Sequence, residues 1–146
     1  MSVFYHNRSP RTDTPHIYVE SVIELARKVD ILVVATPGGE GTRHLVDSAV
    51  IEALGPEGVI VNIARGTVID EAAMADALTQ GRLAGAGLDV FEDEPNVPEA
   101  LFEHPHVVVQ PHQGGATHEG IAAAVDILIA NIKSHFSGGP VINRVV

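Results

Sequence analysis

The sequence predicts an α/β fold built on a doubly wound parallel sheet. Two observations carry that expectation. Short apolar runs without polar alternation recur along the chain, as in strands buried on both faces. Between them lie segments with helical spacing and defined caps, and strands alternating with helices imply right-handed crossovers.

The strand runs are Val3–His6, Ile31–Ala35, Val59–Ile63, Ala84–Val90 and Val107–Gln110. Ser21 and Glu24 form a capping-box pattern, followed by Val22, Leu25, Ala26 and Val29 on one face. Asp47 caps a helix carrying Val50, Ile51 and Leu54, which Gly55-Pro56 stops. Asp70 caps another through Met74, Ala77 and Leu78 to Gly81. A last helix starts near Thr117, lines up Ile121, Ala124, Val125, Leu128, Ile129 and Ile132, and ends at Gly138-Gly139-Pro140. Asn7–Thr14 and the acidic, proline-rich Glu92–Pro105 read as loops too short for interdomain linkers, so residues 1–146 form one domain.

The 146 residues suffice for one domain with a core, not two ordinary ones. Nine Lys and Arg against nineteen Asp and Glu give a net charge of −10, which argues against nucleic acid or an anionic membrane as a general partner. There is no cysteine, so disulfide and thiolate chemistry are excluded. The N-terminus has no signal-peptide pattern and no apolar stretch reaches membrane-spanning length; a cytoplasmic location is the expectation.

A dinucleotide-binding unit opens with a strand, a Gly-x-Gly-x-x-Gly turn and a helix whose N-terminus holds the pyrophosphate. That fingerprint is absent. Gly38-Gly39-Glu40-Gly41 has the wrong spacing and reads as a flexible turn; Gly85-Ala86-Gly87 lies in a strand and reads as close backbone packing. The fold expected is therefore Rossmann-like but incomplete, without its first strand, glycine turn and first helix. That strand is central in the usual order, so its neighbours would face a gap. Either the chain is part of a longer protein or another chain fills the gap.

Three motifs fall at C-terminal ends of strands, the edge where open α/β sheets bind ligands. They are Asn62–Thr67, Asp89–Pro95 and Gln110–Thr117. An arginine, an acid and a histidine meeting there suit carbonyl reduction. Arg65 can bind the carboxylate of a 2-oxo acid and polarise its carbonyl. His112, as imidazolium, can give the proton when hydride reaches the carbonyl carbon. Glu94 can bond the other imidazole nitrogen and favour the protonated form. Asp89 can orient a nicotinamide amide.

In order and approximate spacing these motifs resemble the three C-terminal signatures of the D-2-hydroxyacid dehydrogenase family. The resemblance runs from Met1 to about Gly139, as that family's cofactor domain without its opening βα unit and without the substrate domain. It implies Arg65, Glu94 and His112 as the catalytic set, and cofactor contacts at Thr36, Pro37, Thr42, Ile63, Asp89 and Gly114. It also implies a homodimer. Gln110–Thr117 and Ala35–Gly39 look most similar to glyoxylate/hydroxypyruvate and hydroxyphenylpyruvate reductases, which makes a small 2-oxo acid the expected substrate.

Cofactor choice rests on His6-Asn7-Arg8-Ser9. NAD-selecting folds place an acid at the end of the second strand, on the ribose 2′-hydroxyl. Here no acid stands to repel a 2′-phosphate, and Asn7, Arg8 and Ser9 can donate to one, with Arg11 close behind. NADP is the expected cofactor, with NAD possible.

Blander readings stand beside these. Arg65 alone would be a surface ion-pair partner, and His112 alone a hydrogen-bonded structural residue. Glu92 and Asp93 read as solvated carboxylates. His104, His106, His112 and His118 lack a metal-ligand pattern, so no metal is expected. A non-catalytic nucleotide-binding or oligomerisation module is the alternative function, favoured only by the missing glycine turn.

Overall fold

A computed structural model describes residues 1–144; Val145 and Val146, the end of the expected domain, lie outside them. The chain divides into two bodies, residues 1–111 and a second beginning at His112.

In the first body, β1 (Phe4–Tyr5) pairs in parallel with β2 (Ile17–Tyr18). The chain continues through α1 (Val22–Ala26), β3 (Ile31–Val34), α2 (Ser48–Leu54), β4 (Val59–Asn62), α3 (Glu71–Thr79), β5 (Gly85–Leu88), α4 (Glu99–Phe102) and β6 (Val107–Val109). The last four strands form a parallel sheet in the order β3-β4-β5-β6, giving the Rossmann-like α/β architecture. Among the described residues β1 pairs only with β2, and β3 only with β4. The strands thus fall into two separate sheets.

The caps form at the residues expected. Ser21, Asp47 and Asp70 accept the N–H groups of Glu24, Val50 and Ala73 at 3.3, 3.0 and 3.0 Å, each satisfying an orphan donor of the first turn. Gly55 ends α2 with φ of 84°, a left-handed value that glycine adopts without a Cβ clash. Two elements were not expected. The two-residue β2 is too short for a pattern, and α4 sits in the segment read as a loop, opened by Pro98.

The core lies between the sheet and the helices. Leu32, Val34, Ile60, Ala86 and Leu88 on one sheet face join Ala26, Val50, Ile51, Met74, Ala77, Leu78 and Leu101 from the helices. Ile51, Ile60 and Leu101 are fully buried, each contributing about 1.5–3 kcal/mol relative to exposure. The opposite face is less covered than the continuous apolar runs implied. Ile31, Val33 and Val108 are 55%, 56% and 63% exposed, because no helix of this body lies over them. Gly85 behaves as expected, since a Cβ there would fall 2.7 Å from the His106 carbonyl.

The second body is built on α5 (His118–Phe136), capped by Thr117, whose hydroxyl accepts the Gly120 N–H at 3.0 Å. Asn131 ties the following segment back to the helix. Its Oδ1 accepts the Ile142 and Asn143 N–H groups at 2.9 and 3.1 Å. No helix among the described residues is long and apolar enough to cross a membrane.

Candidate active site

In a parallel sheet all C-terminal strand ends lie on one edge, so residues directly after strands share that edge whatever their separation in sequence. In the four-stranded sheet Thr36 and Pro37 follow β3, Ile63 and Arg65 follow β4, and Asp89 follows β5; Asn7–Ser9 follow β1 in the two-stranded sheet. Ile63 donates its N–H to the Val34 carbonyl at 3.2 Å, and Asp89 donates to the Asn62 carbonyl at 3.0 Å. The sheet ladder thus holds the starts of the two central loops in register.

Arg65 stands before the single-turn 3-10 helix Gly66–Val68. Its loop is shaped from inside by Asn62, 1% exposed, which bonds both Ala64 and Arg65 through its side chain. The guanidinium is exposed; Nη1 donates to the Ala64 carbonyl at 2.6 Å. Gly38 lies against its stem, where a Cβ would stand 2.8 Å from Arg65 Cγ. The glycine turn read as merely flexible therefore has a packing reason for one of its glycines.

Gly66 makes the closest approach of the site. A Cβ there would fall inside the van der Waals envelope of the Phe91 carbonyl and the Glu92 amide. The arginine loop and the loop carrying Glu94 are therefore in backbone contact. Glu94 is exposed, and its Oε1 accepts the Phe91 N–H at 3.0 Å.

Two carboxylates beside these loops make contacts that the sequence did not indicate. Glu92 pairs with Arg43 at 2.5 Å, and His44 Nε2 lies 3.6 Å from its other oxygen. Glu71, in the first turn of α3, is buried and accepts the Glu92 N–H at 2.6 Å. Burial pushes the Glu71 carboxyl above its ordinary value. The Glu92 N–H opposes that rise, while the charges of Glu92, Glu94 and Asp93 add to it. Asp93 remains exposed, and its Oδ2 accepts from the Asn96 side-chain amide at 3.1 Å.

On the cofactor side, the Thr42 hydroxyl lies 2.8 Å from the Pro37 carbonyl and 3.1 Å from that of Gly39, closing the turn after β3. The loop after β1 is held by two tyrosines. The Tyr5 hydroxyl accepts the Arg11 N–H at 2.7 Å, and the Tyr18 hydroxyl donates to the Asn7 carbonyl at 3.3 Å. Arg11 pairs with Asp13. The Arg8 guanidinium, exposed, has no carboxylate partner among the described residues, and Ser9 is exposed beside it. A cation left uncompensated at that strand end fits a phosphate.

His112 and Gly114 belong to the second body. His112 has φ of 55°, the left-handed region that non-glycine residues seldom occupy. His104 and His106 are taken up locally. Their rings meet edge-on at 5.7 Å, and the His106 Nδ1 lies 3.2 Å from the Ala84 carbonyl.

Three residues that shape these loops, Asn62, Gly66 and Glu71, were not singled out in the sequence. Asn62 and Gly66 lay inside a recognised motif. Glu71 carried no signal beyond that of an acid in a first helical turn.

The parallel sheet carries an arginine loop and an acidic loop in backbone contact at its C-terminal edge, where open α/β sheets bind ligands. The comparison with known proteins narrows this to a family. Residues 1–114 match the D-isomer specific 2-hydroxyacid dehydrogenase, NAD binding domain, and the chain belongs to that family. It is 48% identical to hydroxyphenylpyruvate reductase of Plectranthus scutellarioides, covering 99% of this chain and 46% of that protein. A glyoxylate/hydroxypyruvate reductase of Arabidopsis thaliana is also 48% identical, over 97% of this chain and 45% of that protein. The crystal structure of an NADPH-dependent glyoxylate/hydroxypyruvate reductase from Sinorhizobium meliloti, in complex with NADP and malonate, superposes with a TM-score of 0.93 at 43% identity. That match covers 99% of this chain and 46% of the other. The chain spans less than half the length of these relatives.

Proposed function

We propose that this chain is the cofactor-binding and catalytic C-terminal part of an NADPH-dependent reductase. Its substrates are small 2-oxo acids such as glyoxylate or hydroxypyruvate, and its products are D-2-hydroxy acids. The observation that supports this most is the backbone contact of Gly66 with Phe91 and Glu92, which joins the loops bearing Arg65 and Glu94. The names of the relatives support the substrate class, and the NADP bound in the Sinorhizobium enzyme supports the cofactor.

NADPH, when bound, supplies the hydride. The uncompensated Arg8, with Asn7 and Ser9, takes the 2′-phosphate; Thr36, Pro37, Thr42, Ile63 and Gly114 line the rest of the cofactor, and Asp89 orients the nicotinamide amide. Arg65 holds the substrate carboxylate and polarises the carbonyl. His112 gives its proton to the carbonyl oxygen as the carbon is reduced, so that oxygen becomes a hydroxyl rather than an alkoxide. Glu94 accepts from the other imidazole nitrogen, fixing the tautomer and stabilising the imidazolium. The expected assembly is a homodimer in a reducing cytoplasm, consistent with a chain that has no cysteine.

The test is His112→Asn in the complete gene product. Turnover with NADPH and glyoxylate or hydroxypyruvate should fall by about 10²- to 10⁴-fold, with NADPH binding retained. Unchanged turnover would overturn the catalytic assignment.

A further inference from the structure

Resting on the reductase reading above, we infer that Glu71 is a positioning residue, whose buried carboxylate holds the loop that presents Glu94. Glu71 opens α3 directly after its cap Asp70, and is 9% exposed. Its Oε1 takes the backbone N–H of Glu92 at 2.6 Å. One residue earlier, the N–H of Phe91 goes to Glu94 Oε1 at 3.0 Å. Two successive backbone donors of one loop are thus received by carboxylates, one from within the loop and one from α3.

The Glu71 bond acts together with steric and ionic constraints. Gly66 closes off movement of Phe91 and Glu92 toward the arginine loop. Arg43 holds the Glu92 side chain from the turn after β3 at 2.5 Å. Glu71 fixes the remaining direction, toward α3. Without its acceptor the Glu92 N–H loses its partner, and the Phe91–Glu92 segment is no longer tied to α3. A shift of that segment takes with it Phe91, whose N–H Glu94 accepts.

A solvated acid in a first helical turn would serve the helix dipole equally well. Burial beside Glu92, Asp93 and Glu94 is electrostatically costly, as the raised carboxyl reflects. The helix alone therefore does not account for this placement, whereas the bond to the Glu92 N–H does.

The experiment compares Glu71→Met, which keeps the volume and removes the acceptor, with Glu71→Gln, which keeps an acceptor, both in the complete gene product. Glu71→Met should lower kcat for 2-oxo acid reduction by about 10- to 100-fold, leave KM for NADPH unchanged, and speed amide exchange at Glu92. Glu71→Gln should restore both to near the parent. Added to Glu94→Gln, Glu71→Met should cost little more, because it acts through Glu94. A Glu71→Met variant that merely melts earlier with full kcat, or that slows turnover equally in the Glu94→Gln background, overturns the proposal. If Glu71→Met does not fold, Glu71→Gln decides: a large loss of kcat with Glu92 exchange unchanged overturns it, and parent-like kcat and exchange support it. Full activity in Glu94→Gln would instead sink the role given to Glu94, and absence of 2-oxo acid turnover by the parent would sink the reductase reading itself.

Discussion

The side-chain amide of Asn62 spans the loop that carries Arg65: Nδ2 donates to the Arg65 carbonyl at 3.1 Å while Oδ1 accepts the Ala64 N–H at 3.0 Å. An amide is the one side chain of this size that donates and accepts at once. Asn62→Asp places a second acceptor against the Arg65 carbonyl, and Asn62→Leu leaves both backbone groups unpaired. Each should destabilise by about 1–3 kcal/mol per orphaned group, read by urea unfolding. KM for the 2-oxo acid should rise as Arg65 loses its support. A parent-like midpoint and KM would contradict this account.

Gly66 and Gly41 separate close approach from ordinary glycine tolerance. A Cβ at 66 meets the Phe91 and Glu92 backbone, whereas at 41 nothing lies within 4 Å. Gly66→Ala should displace the Glu94 loop, lowering both kcat/KM and the unfolding midpoint. Gly41→Ala should stay within about 0.5 kcal/mol of the parent.

Glu71 predicts a sign for pH dependence. Its carboxyl is raised in the folded protein by burial first, and by Glu92, Glu94 and Asp93. A raised acid contributes stability that is fully present below the ordinary glutamate pKa of about 4.3 and is lost as pH rises through the folded value. Glu71→Gln removes that loss. The stability of the variant relative to the parent should therefore increase from pH 4 upward, checked by urea midpoints across the range. A constant difference would show that Glu71 does not titrate this way.

Arg8 and Arg11 sit in one loop with different partners. Arg11 is paired with Asp13, while Arg8 has no carboxylate partner among the described residues. Arg8→Ala should raise KM for NADPH by about 10-fold or more with little effect on NADH, the loss of a charge-assisted bond. Arg11→Ala should change the NADPH/NADH ratio less. Equal losses for both cofactors in Arg8→Ala would refute the phosphate role.

Much of the fold was legible locally. Ser21, Asp47 and Asp70 cap the helices they were expected to cap, the last helix starts after Thr117, and β3 to β6 lie within the expected apolar runs. Arg65 and Asp89 follow strand ends, as the motifs implied. The reading erred over β3 and β6, expected to be buried on both faces, because an apolar run records what a strand can bury and not what lies over it. The ion pair of the exposed Glu92 was not legible because its partner, Arg43, is 49 residues away in sequence.

Caps, strand runs and motif order were determined by the sequence itself, because each depends on the backbone geometry of a few neighbouring residues. Only the tertiary structure decided which of these residues meet. The sheet brings the ends of β4 and β5 side by side, Gly66 lets their loops touch, and that contact leaves α3 to receive the Glu92 N–H through Glu71. A buried hydrogen bond between distant segments leaves no periodic trace in the chain. It forms where long-range packing removes water from a donor, which then must find an acceptor.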